Sequence, residues 1–154
     1  MGACARARAP ARARAARAPR ARVRCSRARA RERVARAPAD NSQRKIQYTI
    51  NDIGGEIVKD NETYLLKDNK TLDKLVLSST LLNPFKQTTG HNHSGQEEVY
   101  FFVSGTGTME VDNEKFNVKP GDVILIPDGA FHRVYNESTE HLYFVCVFDG
   151  KRNH

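Results

Sequence analysis

The sequence predicts an all-β protein made of short antiparallel strands around one hydrophobic core. From residue 46 onward, apolar residues recur with a period of two. Turn-forming Gly, Pro, Asn and Asp residues interrupt these segments roughly every eight to ten residues, and no window of a dozen residues carries a helical stripe. This combination is typical of an antiparallel sandwich or barrel.

The N-terminal segment differs from the rest of the chain. Residues 1–40 hold 13 of the 25 Lys and Arg residues but only two of the 18 acidic residues, so their net charge is +11 and that of the remainder is −4. They contain no aromatic, Leu or Ile residue and cannot bury enough apolar surface to offset the entropy of ordering. We therefore predict a disordered Arg/Ala-rich tail over residues 1–42 and a β-barrel domain over residues 43–154.

Three interpretations of this tail remain open. An Arg-rich, acid-poor N-terminus is typical of a mitochondrial or plastid transit peptide. Alternating Ala and Arg is also what a repeated GC dinucleotide encodes, which would make the tail an artefact of the gene model. A nucleic-acid-binding arm is disfavoured because no aromatic residue is interleaved for base stacking.

The cysteine count and the hydropathy pattern limit the cellular setting. Three cysteines form neither a disulfide framework nor a CxxC pair, and Cys146 lies in an apolar run typical of a buried strand. No apolar stretch reaches the roughly 18–20 residues that span a bilayer. The sequence predicts a reducing, cytoplasmic location without a membrane partner, or an organelle if the tail is a transit peptide.

The predicted strands follow one another in short apolar segments rich in β-branched and aromatic residues. They cover Ile46–Ile50, Thr63–Lys67, Lys74–Leu81, Val99–Val103, Thr106–Val111, Lys115–Val118, Val123–Ile126, Phe131–Tyr135 and His141–Phe148. Two segments, 123–126 and 143–148, are apolar on both faces and need cover from a second sheet, a terminal segment or a partner subunit. We predict a homodimer.

Four residues form a pattern suited to a metal ion. His91 and His93 lie two apart, so an extended backbone directs both imidazoles to one side. Glu98 follows a turn over residues 94–96 and opens a strand, and His132 opens a later strand after the turn at 128–129. Three imidazoles and one carboxylate suit a divalent Fe, Mn, Ni, Co, Cu or Zn ion.

The spacing of turn residues around these four ligands resembles that of the cupin superfamily. Its two motifs correspond to His91, His93, Glu98 and Gly105, and to Gly121, Pro127, Gly129, His132 and Asn136. One departure occurs: the first motif opens with Gly six residues before its first His, where this chain has Phe85. The resemblance implies a double-stranded β-helix, or jelly-roll barrel, with one bound divalent metal ion.

The other motif residues have structural roles in this prediction. The three glycines and Pro127 form tight turns, and Asn136 bonds backbone at a strand end and orients the site. Strand parity places Tyr100, Phe102 and Val134 on the ligand face, so they should line a pocket, with Tyr100 as a candidate catalytic residue. Lys86 and Arg133 are the basic residues next to ligand positions, so no phosphate-binding set is evident.

Three functions are consistent with such a site. The first is a metal-dependent enzyme acting on a small polar substrate. Either an isomerase, because residues 119–136 resemble the mannose-6-phosphate isomerase-like cupins, or a dioxygenase would fit. The second is a module that binds or senses a small molecule without turnover. The third is a scaffold stabilised by its metal. The fold alone does not distinguish them.

Overall fold

Nine β-strands and no helix occur in residues 45–150, the part of the chain that this computed structural model describes. The prediction of an all-β fold is confirmed. The strands are β1 (Glu56–Asp60), β2 (Tyr64–Asn69), β3 (Leu75–Leu82), β4 (Glu98–Ser104), β5 (Gly107–Val111), β6 (Glu114–Val118), β7 (Val123–Ile126), β8 (His132–Tyr135) and β9 (Leu142–Asp149). The predicted disordered tail, with Cys4 and Cys25, lies outside the described residues.

Two antiparallel sheets form the barrel. The larger has the strand order β1-β2-β3-β9-β4-β7 and the smaller β6-β5-β8. One core joins them, since Met109, Val118 and Val134 of the smaller sheet cluster with residues such as Leu82 and Phe144 of the larger. This is the predicted jelly-roll arrangement, and no helix within the described range is long and apolar enough to cross a membrane.

The outer face of the larger sheet is covered in part by the segment that precedes β1. Ile53 is only 2% exposed, and its carbonyl accepts a 2.7 Å hydrogen bond from the Asn69 side chain. Tyr143 Oη donates to the Ile50 carbonyl across 3.0 Å. A terminal segment therefore supplies some of the cover that the apolar strands require. Val123 and Leu125 on β7 remain 53% and 69% exposed.

At the N-terminal end, one predicted strand is absent and one observed strand was not predicted. Residues 46–50 form no strand and make only an isolated bridge between Thr49 and Asp52. The β-branched side chains of this segment favour extended backbone, which explains the prediction. No neighbouring strand pairs with the segment, however, and Ile46 is 87% exposed. The unpredicted strand is β1, which has exposed residues throughout and therefore no apolar alternation to reveal it.

Candidate metal centre

The structure brings the four predicted ligands together. One ligand atom from each of His91, His93, Glu98 and His132 lies within 4.8 Å of the other three. That separation is little more than twice a metal–nitrogen bond of about 2.1 Å. Glu98 and His132 begin β4 and β8, which belong to different sheets, so the cluster lies where the two sheets meet.

Backbone pairing fixes the relative position of two of these histidines. The His91 amide donates to the His132 carbonyl at 3.3 Å, and the His132 amide donates to the His91 carbonyl at 2.9 Å. Residues opposed in this way on antiparallel backbone direct their side chains to the same face. The two ring centroids are accordingly 4.5 Å apart, and the His93 ring is 4.6 Å from that of His91.

Backbone carbonyls orient the rings of His91 and His132. Nδ1 of His91 lies 2.9 Å from the Thr89 carbonyl, and Nδ1 of His132 lies 3.1 Å from the Ala130 carbonyl. A carbonyl can only accept, so Nδ1 is the donor in each contact, and in a neutral ring Nε2 then has a lone pair for a metal ion. Burial lowers the pKa of His132 from its usual value, despite the Ala130 carbonyl and Glu98, and favours the neutral ring.

Two features of the buried groups fit a bound cation. His132 is 2% exposed, and its Nε2 has no hydrogen-bond partner among residues 45–150. Glu98 is 6% exposed, with its two oxygens 3.1 Å from His93 Nε2 and 3.8 Å from His132 Nε2. A buried carboxylate next to imidazole nitrogens is stabilised by a nearby positive charge, which a metal ion would supply. This His/Glu cluster is therefore suited to a metal ion.

The loop that carries His93 is held by the turn that precedes His132. Asp128 Oδ1 accepts hydrogen bonds from the amides of Gly95 and Gln96, at 2.6 and 3.2 Å. The Gly129 amide donates to the His93 carbonyl at 2.8 Å, and its φ of 77° is in the left-handed region that favours glycine. The two ligand-bearing turns are thus connected directly.

Phe85, at the position where the first cupin motif has Gly, keeps the backbone conformation of a glycine. Its φ is 58°, which is unusual for a bulky residue, and its side chain is 68% exposed. The substitution of Phe for Gly therefore leaves the turn before the ligand segment intact, at the expense of local strain.

Asn136 is a structural residue at the end of β8. It is 1% exposed, and its Nδ2 donates to the carbonyls of Leu82, Asn83 and Glu140. Its Oδ1 accepts from the amide and hydroxyl of Ser138. These bonds tie backbone segments together, as the sequence indicated, but none of them reaches a residue of the cluster.

A cavity of about 550 Å³ opens onto the cluster. Tyr100 lines it, with its ring 5.8 Å from that of His132 and stacked on Phe144 at 5.5 Å. Phe102 and Val134 were also expected at the pocket, but both belong to the closed core, at 2% and 1% exposure. Strand parity correctly predicted that both side chains face the interior of the barrel. They lie deeper in the barrel than the cavity extends, so they pack in the core.

Several lining residues were not predicted, and most of them come from strands β1, β2 and β3 of the larger sheet. Lys59, Tyr64, Leu66 and Thr80 all line the cavity, as do Thr88 and Thr89 from the loop before His91. Lys86 and Arg133, the basic residues next to ligand positions in the sequence, do not line the cavity, whereas Lys59 does. The sequences of β2 and β3, YLLKDN and LVLSSTLL, do not alternate clearly, so they did not identify Leu66 and Thr80 as inward-facing.

Comparison with known proteins identifies the family. Residues 80–148 match the family model described as "Cupin domain". The uncharacterized protein MJ1618 of Methanocaldococcus jannaschii is 32% identical over 94 residues, which are 54% of this chain and 75% of that protein. The 5-aminosalicylate 1,2-dioxygenase of a Comamonas species is 34% identical over 79 residues. Those residues are 51% of this chain but only 21% of the dioxygenase.

A solved structure agrees on the fold. The protein TT1209 from Thermus thermophilus superposes with a TM-score of 0.56 at 24% identity. The match covers 60% of this chain and 89% of that one.

Proposed function

The chain belongs to the cupin superfamily, and from that premise we propose that it is a metal-dependent enzyme acting on a small polar organic substrate. His91, His93, Glu98 and His132 would hold one divalent ion. The observation that carries this proposal is the cavity lined by His91, His93 and Glu98, because a substrate inside it would meet an ion held by the cluster. About 550 Å³ is within the range of small-molecule sites.

The donor set limits the choice of metal. Three imidazole nitrogens and one carboxylate suit Fe, Mn, Ni, Co, Cu or Zn better than Mg or Ca, which prefer oxygen ligands. When bound, such an ion polarises a substrate oxygen or activates a water molecule or dioxygen at positions that the protein leaves open.

The residues of the chain itself would position and shield the substrate. Leu66, Phe144 and Tyr100 form an apolar wall along the cavity, which would limit the access of water to a bound substrate. The phenol of Tyr100, 7% exposed and next to the His132 ring, is the candidate to exchange a proton or a hydrogen bond with the substrate.

Oxygenation is the reaction class that we favour. The apolar and aromatic wall suits an organic ring or chain, and one of the relatives, matched over 21% of its length, is a dioxygenase. Isomerisation of a sugar phosphate is less well supported, since Lys59 is the one Lys or Arg among the described lining residues and a phosphate group is usually bound by several donors. The alternative function is a binding or sensing module that uses the same metal without turnover.

One experiment separates these functions. Protein as purified, with its metal identified, is incubated with small hydroxylated and carboxylated organic compounds in an oxygen electrode. Substrate-dependent oxygen uptake that is lost in Glu98→Gln and kept in Glu97→Gln supports the oxygenase. Anaerobic aldose–ketose interconversion would favour the isomerase, and ligand binding without product would favour the module. Glu97 is the matched control because it is the exposed neighbour of buried Glu98.

We also propose that the chain forms a homodimer. Strand β7 is an edge of the larger sheet and exposes Val123 and Leu125. An antiparallel edge strand is self-complementary about a two-fold axis, and pairing with a second copy would place the same side chains of both copies next to each other and reduce their exposure. Light scattering should give twice the chain mass, and Leu125→Lys should reduce it to the chain mass. A monomeric wild-type protein would contradict the proposal.

A further inference from the structure

We propose that the substrate carries a carboxylate group, which binds to Lys59 Nζ and Tyr64 Oη at the end of the cavity formed by β1 and β2. This inference rests on the proposed function to the extent that the cavity is taken as the substrate site. It goes further because it assigns a second binding point, away from the metal ligands, and a chemical class for the ligand.

A β-bulge turns Lys59 toward the cavity. In the register between β1 and β2, Ile57 is opposite Lys67 but Lys59 is opposite Leu66, so one extra residue is inserted at Val58. Leu66 is 7% exposed and lines the cavity. Without the bulge, Lys59 would oppose Leu65, whose side chain is on the other face of the sheet, and its ammonium would point away from the cavity.

The ammonium of Lys59 has a polar neighbour but no anionic partner. Its Nζ donates to Tyr64 Oη at 3.1 Å, and no carboxylate of residues 45–150 lies within 4.0 Å of it. Tyr64 Oη acts as acceptor in that bond, so its own hydrogen can be donated to a ligand. The pair thus presents a positive charge and an O–H group to the same cavity.

The number of donors favours a carboxylate. One ammonium and one phenol match the single charge and two oxygens of a carboxylate, whereas phosphate sites gather several cations or backbone amides. The surrounding wall contributes Thr80, which is opposite Leu66 on β3, and apolar Phe144, which is opposite Thr80 on β9. A ligand anchored at Lys59 would extend along this wall toward the His/Glu cluster.

Calorimetric titration of the protein as purified tests the inference with matched pairs of probes. The pairs are glycolate and glycolamide, succinate and succinamide, and 4-hydroxybenzoate and 4-hydroxybenzamide, with inorganic phosphate as a separate probe. We expect at least one carboxylate to bind at least about tenfold more tightly than its amide, the size of a lost charged hydrogen bond. Lys59→Met should weaken the binding of that carboxylate about tenfold. Tyr64→Phe should weaken its binding by less, and Lys59→Arg by less than about threefold.

Lys67→Met is the matched control, since Lys67 is on the adjacent strand but faces away from the cavity, where its ammonium lies 3.9 Å from Asp52. It should leave carboxylate binding unchanged. The inference is overturned if no carboxylate binds, if the amides bind equally well, if Lys59→Met has no effect, or if phosphate is the preferred Lys59-dependent ligand.

Metal content, measured by elemental analysis on the same samples, separates this inference from the proposed function. Lys59→Met should keep the wild-type metal content. Wild-type protein without metal that still binds a carboxylate through Lys59 would contradict the metal proposal alone.

Discussion

His91 and His132 are joined by a reciprocal pair of backbone hydrogen bonds, with N···O distances of 3.3 and 2.9 Å, although His91 lies in a loop and His132 opens β8. This isolated bridge brings the two cupin motifs into register. Since backbone pairing and the carbonyls of Thr89 and Ala130 orient both rings, the relative position of these two histidines does not require a metal ion. This part of the site is therefore preorganised, and several consequences can be tested.

Removal of the metal should lower thermal stability without unfolding the barrel. An ion that binds the folded chain and not the unfolded one stabilises it by about 2.7 kcal/mol at a free concentration 100 times its Kd. The melting temperature, followed by circular dichroism, should fall on addition of a chelator in wild type and stay constant in His93→Ala. A His93→Ala protein that is unfolded at 25 °C would indicate instead that the site serves to stabilise the fold.

Asp128 should control metal affinity from outside the ligand set. Its carboxylate binds the amides of Gly95 and Gln96 in the loop between His93 and Glu98. Loss of such a supporting group typically weakens metal binding about 10- to 100-fold. Asp128→Ala should show this loss in a competition titration with a chromophoric chelator, with an unchanged circular dichroism spectrum, whereas Asp73→Ala in the exposed bend before β3 should bind as wild type does. Equal metal affinities in the two variants would show that the hydrogen bonds of Asp128 do not contribute to metal binding.

Replacement of Phe85 by Gly should stabilise the protein. A left-handed backbone is unfavourable for a non-glycine residue by roughly 1–2 kcal/mol, and the exposed Phe85 side chain contributes little burial. The extra flexibility of glycine in the unfolded chain offsets part of this gain, so we expect a net increase of about 0.5–1 kcal/mol in the free energy of unfolding. Phe85→Ala, which keeps the strain, should give no increase in urea titrations. A Phe85→Gly variant that is less stable than wild type would mean that packing of the Phe85 ring contributes more to the free energy of unfolding than its exposure suggests.

Asn136 should matter for stability and not for the chemistry of the site. Its buried amide group donates to three backbone carbonyls, and Asn136→Ala removes all three bonds. The expected loss is about 2–4 kcal/mol in the free energy of unfolding, against less than about 0.5 kcal/mol for the exposed Asn117→Ala. Metal content of the folded fraction should be unchanged. Metal loss at full stability would instead assign Asn136 a role at the site.

The ligand set and most strands could be predicted because their signals are local. Alternation in β4 and the turn glycines specify which residues face inward and where the chain reverses. In contrast, whether residues 46–50 or residues 56–60 form a strand depends on which segment pairs with β2. No local sequence pattern predicts that pairing. The orientation of Lys59 depends on a register shift between two strands, so strand parity alone gives the wrong face for it.

The stoichiometry of bound metal tests the central claim most directly. Elemental analysis is performed on purified wild-type protein and on the folded variants Glu98→Gln and Glu97→Gln. We expect about one transition-metal ion per chain in wild type and in Glu97→Gln, and at least about tenfold less in Glu98→Gln, which lacks the carboxylate charge. Metal-free wild-type protein, or equal metal content in Glu98→Gln, would contradict the assignment of this cluster as the metal centre.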